Sequence, residues 1–402
     1  MIHIGDCLGF MRSMDACSVD SMVTDPPYGL EFMGKAWDHG VPGELFWVES
    51  LRVAKPGSHL LAFGGTRTHH RLMCAIEDAG WEIRDTVMWV YGSGFPKSLN
   101  VSKSIDKAAG AYREKVAVGS PVKRMIPGAD QNATGSWIKD NGREYQPGVE
   151  IPATEAARKW EGWGTALKPA WEPIIVARKP LSGTVAVNVQ EHGTGAMNID
   201  GCRVPLTGSN DPRLGGQGDW SSDKMANNVY EGGYAGERVW SSQLGRFPAN
   251  LIHDGSNEVM AGFPDQKSGA NPTMRGSSKF RNAYGEFEGQ EECDAARGAE
   301  SGSAARFFYC AKASKSDRTM DGKVENKHPT VKPNSLMRYL CRLVTQPNGL
   351  VLDPFCGSGS TGVAAIQEGF RFVGIEKDED SAATAAERIR LAKESDSMPL
   401  FG

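Results

Sequence analysis

Short apolar runs alternate with amphipathic stretches over residues 1 to about 98. Residues 1–4 predict a short strand and residues 8–14 a helix. Residues 21–24 predict a strand. Residues 43–54 carry Leu45, Val48, Leu51 and Val53 at helical spacing and stop at Pro56-Gly57. A buried strand is expected over 58–63, closed by Gly64-Gly65. A helix over 69–79 ends at Gly80, and a further strand covers 81–89. Such alternation predicts a parallel sheet covered by helices on both faces.

The pattern changes near Gly92. From there to about Gly302 the chain is rich in Gly, Ser, Asn, Pro and Trp, with weak periodicity, interrupted by an apolar strand over 173–178 and a second candidate at 250–252. Long irregular segments in a compact protein are either functional or disordered. Trp137, Trp160, Trp163, Trp171, Trp220 and Trp240 argue against full disorder, because such side chains need a surface to bury against. Alternation resumes at Ala305. Residues 306–311 read as a strand. Asn334 caps a helix with Leu336, Tyr339, Leu340, Leu343 and Val344 on one face, and 350–353, 361–368, 372–375 and 381–393 follow as strand, helix, strand and helix. The expected fold class is α/β, a doubly wound, mostly parallel sheet built from both ends of the chain. Residues 1–98 and 305–395 form its main domain, with strand 173–179 joining it. Residues 99–172 and 180–304 are insertions, and 396–402 a tail.

The chain has 402 residues and a net charge of -4, which does not advertise a polyanion binder. The charge is uneven, however. Lys97, Lys103, Lys107, Arg113, Lys115, Lys123 and Arg124 face only Asp106 and Glu114 over residues 97–124, and the tail after Glu376 is acidic. A basic cleft fits this distribution, and so does a solvated mixed-charge surface. The eight cysteines include no Cys-x-x-Cys pair, so neither a metal site nor a redox motif is expected. No signal peptide is visible and no uncharged apolar run nears the ~18 residues of a membrane span, so the expectation is a cytoplasmic protein that enters no membrane.

Asp353-Pro354-Phe355-Cys356-Gly357-Ser358-Gly359 follows a predicted strand, and Gly357, Gly359 and Gly362 fit G-x-G-x-x-G before a helix. Glu376 ends the next strand roughly 20 residues on, where an acid can accept both ribose hydroxyls. This pattern suits NAD or S-adenosyl-L-methionine, and a ligand-free strand–helix turn also satisfies it. Asp353 would repel a pyrophosphate but could pair with an ammonium group. Lys332, in His328-Pro329-Thr330-Val331-Lys332-Pro333, could meet a carboxylate together with the N-terminus of the helix that follows. Ammonium, carboxylate and ribose together describe S-adenosyl-L-methionine. Taken alone, Lys332 is equally an ordinary surface lysine.

Asp25-Pro26-Pro27-Tyr28 closes the second predicted strand. An exocyclic base amine is a poor nucleophile because its lone pair is conjugated with the ring. The Asp25 carboxylate and the Pro26 carbonyl can each accept one amine N–H, drawing the nitrogen toward tetrahedral geometry. The prolines stiffen the acceptors. Tyr28 offers a ring on which a flipped base can stack. An Asp-Pro turn with a packed tyrosine is the bland alternative.

Together these segments resemble the amino-group DNA methyltransferases that act on N6 of adenine or N4 of cytosine, in the permuted order of their β group, with the catalytic motif first and the cofactor motifs last. Residues 306–312 and 245–250 are similar to a prokaryotic and phage subset. The resemblance implies a seven-stranded Rossmann-like sheet with S-adenosyl-L-methionine as cofactor. Asp25, Pro26, Pro27 and Tyr28 would be catalytic, and Asp6, Thr330, Lys332, Asp353, Phe355, Gly357, Gly359 and Glu376 would meet the cofactor. The Asp form of the tetrad implies adenine, with N4 of cytosine as the alternative and an NAD-linked oxidoreductase as the reading from another class. Double-stranded DNA is the implied partner, with Lys97, Lys103, Lys107, Lys123 and Arg124 as phosphate contacts and the middle region as target reader. A companion restriction endonuclease and a homodimer are partners the resemblance allows. Its setting is the cytoplasm of a prokaryote or phage-infected cell.

Overall fold

The computed structural model describes residues 1–30, 40–94, 98–120, 122–123, 144–205, 245–268, 281–282, 285–286, 300–311, 314, 316–328 and 330–397. They fall into two compact units, residues 1–93 with 170–402, and residues 94–169.

The first unit carries a sheet of nine strands among the described residues: β1 Ile2–Ile4, β2 Val19–Thr24, β3 Ala54–Phe63, β4 Glu82–Val90, β5 Trp171–Arg178, β6 Leu251–His253, β7 Tyr309–Cys310, β8 Leu350–Asp353 and β9 Arg371–Glu376. Their order is β1-β9-β8-β2-β3-β5-β4-β6-β7. Every pairing is parallel except those of β5, which runs antiparallel to both β3 and β4.

Side chains alternate across the sheet as strand geometry requires. Met22, Leu60, Ala62 and Ile175 join Met11, Phe46, Trp47, Leu72 and Trp81 on one face. Val23, Leu61, Phe63 and Ile174 join Leu340, Val344, Val363 and Ile389 on the other. The helices Cys7–Ser13, Glu44–Val53 and His69–Asp78 therefore cover one face, and Asn334–Val344, Ser360–Gln367 and Glu379–Ser397 the opposite one. Each end of the chain supplies one layer.

All six residues of β2 are buried, although Asp20, Ser21 and Thr24 are polar. Buried polar groups need partners, and the C-terminal segment provides them. Asp20 accepts the Leu350 N–H at 2.7 Å and the Gln346 amide at 2.6 Å, Ser21 meets Thr345 at 2.8 Å, and Thr24 donates to Asp353 at 2.7 Å. Lys55 also pairs with Asp20.

Several expectations change. Among the described residues the sheet has nine strands where seven were expected, because β6 and β7 extend it past β4, whose edge would otherwise stand open. Residues 306–311 do not form one strand. Ser303 accepts the Ala305 N–H at 3.3 Å and Arg306 donates to the Ser303 carbonyl at 2.7 Å, local bonds that wind Ala304–Phe307 into a 3-10 turn. Strand β3 begins at Ala54 and runs through Pro56-Gly57, which a register shift between Val19 and Ser21 absorbs. The cap position of the helix at 334 belongs to Pro333, and Asp317 accepts the Asn334 N–H at 3.0 Å. Residues after 180 that were expected in an insertion carry β6 and lie in the sheet-bearing unit.

The unit of residues 94–169 is organised around a buried carboxylate. Asp106 accepts from the Ala153 N–H, the Thr154 N–H and the Thr154 hydroxyl at 3.0, 3.0 and 2.7 Å and pairs with Arg113 at 3.2 Å. Among the described residues no helix is long and apolar enough to cross a membrane.

Replacing Asp20 with alanine leaves the Leu350 N–H and the Gln346 amide without their acceptor, while the partly exposed Lys55 can turn to water. A loss of about 1–3 kcal/mol in unfolding free energy is expected from denaturant titration.

Candidate active site

Parallel strands deliver their C-terminal ends to one rim of a sheet, where loops can converge. Here that rim holds Glu376 at the end of β9, Asp353 at the end of β8, Asp25 just past β2 and Tyr91 just past β4. Because β5 is antiparallel, it brings its beginning, Trp171 and Glu172, to the same rim.

The tetrad is tied into a charged cluster. The Lys332 ammonium lies 3.0 Å from Asp25 Oδ2, 2.9 Å from Glu172 Oε2 and 3.0 Å from the Tyr28 hydroxyl. Tyr28 donates to Asp25 Oδ1 at 2.7 Å and lies 3.3 Å from Glu172, and Tyr91 donates to Glu172 Oε1 at 3.4 Å. The ammonium also sits 4.7 Å from the Phe63 ring centroid and 5.4 Å from that of Tyr28. Its side chain is 10% exposed, against 24% for Asp25 and 20% for Glu172.

Burial by itself would lower the lysine's pKa. The two carboxylates outweigh it, so Lys332 stays protonated above the ordinary lysine range. Burial, then Asp25 and Glu172, push Tyr28 well up, keeping it a neutral donor. Burial and Glu172 push Tyr91 up to about 12. Two carboxylates and one ammonium leave the cluster with a formal charge of about -1, and Asp25 has lone pairs free for a further donor.

The glycine loop adjoins this cluster across the β2–β8 pairing. Asp353 is 2% exposed, and its oxygens accept from Thr24, Thr361 and the Phe355 N–H at 2.7, 2.6 and 3.1 Å. It faces inward and anchors the loop. A Cβ at Gly359, where φ is +84°, would lie 2.8 Å from Ala385 Cβ, and one at Gly362 would lie 2.4 Å from Ile389. Both glycines allow the helix Ser360–Gln367 to seat against the helix Glu379–Ser397. Glu376 accepts the Gly357 and Asp378 N–H groups at 2.7 and 2.9 Å.

Asp6 is exposed and caps the helix Cys7–Ser13, accepting the Gly9 N–H at 2.6 Å. Phe355 packs on Phe46 with centroids 4.8 Å apart. Thr330 is exposed, and its carbonyl lies 2.7 Å from His328 Nδ1. Pro26 is buried and Pro27 half-buried. Lys332, expected beside a cofactor carboxylate, makes its three polar contacts with the tetrad and Glu172 instead.

Lys103 and Lys107 lie on the helix Val101–Ala108 of the other unit, Lys103 paired with Glu150 at 2.8 Å and Lys107 exposed. A cleft in that unit is lined by Lys103, Arg113, Lys115, Glu150 and Glu161. Lys123 is in the strand Val122–Lys123, and Lys97 and Arg124 lie outside the described residues.

Glu172 and Tyr91 escaped the motif reading. The available signal was a carboxylate opening the apolar run Pro173-Ile174-Ile175-Val176, a position that places a charge at the mouth of a buried strand.

A family profile described as DNA methylase matches residues 19–387. Over 69 residues the chain is 39% identical to a type II methyltransferase, M2.DpnII, of Streptococcus pneumoniae, covering 17% of this chain and 26% of that protein. Over 63 residues it is 40% identical to the type II methyltransferase M2.LlaDCHI of Lactococcus lactis subsp. cremoris, covering 16% and 23%. The matched segments thus span about a quarter of these relatives. A solved cytosine-N4-specific PvuII DNA methyltransferase aligns with 96% of this chain and 85% of its own at 14% identity and a TM-score of 0.42.

Burial raises the Asp353 pKa to about 6, against the pull of its three donors. The folded protein therefore holds this proton more tightly than the unfolded chain does. The stability this group contributes is present below pH 4 and lost as the pH rises through about 6. Relative to wild type, Asp353→Asn should gain up to about 3 kcal/mol between pH 4 and 7.5, read from denaturant unfolding of both proteins across that range.

Proposed function

This chain belongs to the family of N6/N4 DNA methylases, and from that premise we propose that it transfers the methyl group of S-adenosyl-L-methionine to the exocyclic amine of a flipped base in double-stranded DNA, N6 of adenine ahead of N4 of cytosine. The observation that carries this reading is the junction of the two motifs. The Asp25-Tyr28 segment, braced by Lys332, stands beside the glycine loop, and Thr24 and Asp353 are bonded at 2.7 Å at their meeting point. The Asp form of the tetrad favours adenine.

The rim residues suit that cofactor. Ile4 is 61% exposed and pairs in register with Glu376, and Asp6 follows two residues later. An apolar step flanked by carboxylates is a surface that a nucleoside can cover. Glu376 would accept the ribose hydroxyls and Asp6 the adenine amine, with Thr330 and Phe355 completing the loop side. Asp353, turned inward, would hold the loop in place. Bound S-adenosyl-L-methionine supplies an electrophilic methyl group.

The protein's own task is to present the amine. Asp25 and the Pro26 carbonyl accept its two N–H groups, and the two prolines limit reorganisation of those acceptors. Tyr28 supplies the stacking ring. As bond formation places positive charge on the nitrogen, a cluster of formal charge about -1 stabilises it, and Asp25 or water takes the surplus proton. Lys97, Lys103, Lys107, Lys123 and Arg124 would neutralise backbone phosphates. The type II names of two relatives support a modification role alongside an endonuclease.

Purified protein, labelled cofactor and unmethylated duplex DNA test this directly, with mapping of the modified base to separate adenine from cytosine. Absence of transfer together with binding of NAD rejects the reading. Asp25→Ala should lower transfer at least ~10²-fold while cofactor binding, followed by calorimetry, persists. Glu376→Ala should weaken cofactor binding by roughly 10–100-fold, the range expected for charge-assisted hydrogen bonds.

A further inference from the structure

We propose that Glu172 is a positioning residue for methyl transfer: with Asp25 it clamps the Lys332 ammonium, and this three-charge bridge fixes the carboxylate and the tyrosine that receive the target amine. The assignment rests on the methyltransferase reading above and adds to it a residue that lies far from both motifs in sequence.

The hydrogen-bond geometry is complete on the lysine side. An ammonium has three donors, and those of Lys332 go to Asp25 Oδ2 at 3.0 Å, Glu172 Oε2 at 2.9 Å and the Tyr28 hydroxyl at 3.0 Å. Tyr28 passes its own proton to Asp25 Oδ1 at 2.7 Å. Both Asp25 oxygens are thereby oriented, and each keeps a lone pair for an incoming donor. Tyr91 in turn orients Glu172 through Oε1 at 3.4 Å. Glu172 is not required to hold its strand, since β5 is held by ladders on both sides and by Ile174, Ile175 and Val176 in the core.

Charge gives Glu172 its second effect. With Glu172 present, two carboxylates share one ammonium and the site carries an unbalanced negative charge. Without it, Lys332 is left to Asp25 alone, the pair becomes neutral, and Asp25 is drawn into a closed ion pair. Its pull on the amine weakens where positive charge develops. Loss of Glu172 should therefore lower kcat and spare cofactor binding.

The bridge also predicts a pH signature, because only a protonated Lys332 holds both carboxylates and Tyr28. The groups facing Lys332 are Asp25 and Tyr28 from the segment after β2, Glu172 from β5 and, through Glu172, Tyr91 after β4, with Asp353 of β8 behind Asp25. Burial presses the ammonium to lose its proton, and the two carboxylates oppose this. Removing one carboxylate lets Lys332 deprotonate at lower pH, and a neutral amine no longer clamps Asp25 and Tyr28 in place.

The test uses full-length wild type, Glu172→Gln and Glu172→Asp, with labelled cofactor, unmethylated duplex DNA and calorimetric cofactor binding. Glu172→Gln should lose ~10²-fold in kcat, keep its KM for the cofactor within about threefold, and show an alkaline decline that begins at lower pH than in wild type. Glu172→Asp, which keeps the charge, should recover part of the rate and a profile closer to that of wild type. If Glu172→Gln does not fold, Tyr91→Phe stands in, with a smaller fall in kcat and a shifted alkaline limb. An active wild type with an unaffected Glu172→Gln overturns this assignment alone. So does a variant that loses rate and cofactor binding together without a shifted alkaline limb, and so does a Tyr91→Phe protein that matches wild type in rate and profile. An inactive wild type overturns the methyltransferase reading and this assignment with it.

Discussion

Two strands from opposite ends of the chain lie side by side, and the polar bonds along their seam govern the rim. Thr24 and Asp353 are 329 positions apart and bonded at 2.7 Å; Asp20 and Leu350 are 330 apart, the Leu350 N–H donating to the Asp20 carboxylate at 2.7 Å. Inside a low-dielectric core such bonds are strong when made and costly when missed. They therefore specify the register between β2 and β8, and a one-residue slip would turn every side chain to the wrong face. In the register they select, the tetrad after β2 and the glycine loop after β8 emerge together.

The layering follows from that seam. Helices of the N-terminal segment pack on one face and helices of the C-terminal segment on the other. Between β3 and β4 the chain returns in the opposite direction, and this reversal carries Glu172 to the end of the sheet where the parallel strands finish. A third charged group thus joins Asp25 and Lys332 in a largely desolvated place beside Phe63 and Tyr28. The cluster is excluded from water enough for its charges to matter, yet Asp25 keeps 24% of its side-chain surface open.

The charge of the molecule is divided in a way consistent with the proposed activity. Residues 94–169 hold twelve Lys and Arg against eight Asp and Glu, whereas the whole chain has a net charge of -4. A basic surplus in one compact unit suits contact with a polyanion, and a net acidic remainder discourages indiscriminate adhesion.

What the sequence determined by itself is what neighbours along the chain encode. Apolar spacing marked most of the strands and helices to within a few residues, and turn chemistry marked the glycine loop and the tetrad, because both depend on residues a few positions apart. The tertiary structure alone decided strand order, the direction of β5, the inward turn of Asp353 and the partners of Lys332. Those outcomes depend on registers between segments hundreds of positions apart, and on burial that no local pattern records. Glu172 shows the difference most plainly: in the sequence it is one acid before an apolar run, and only the antiparallel course of its strand makes it a counter-charge to Lys332.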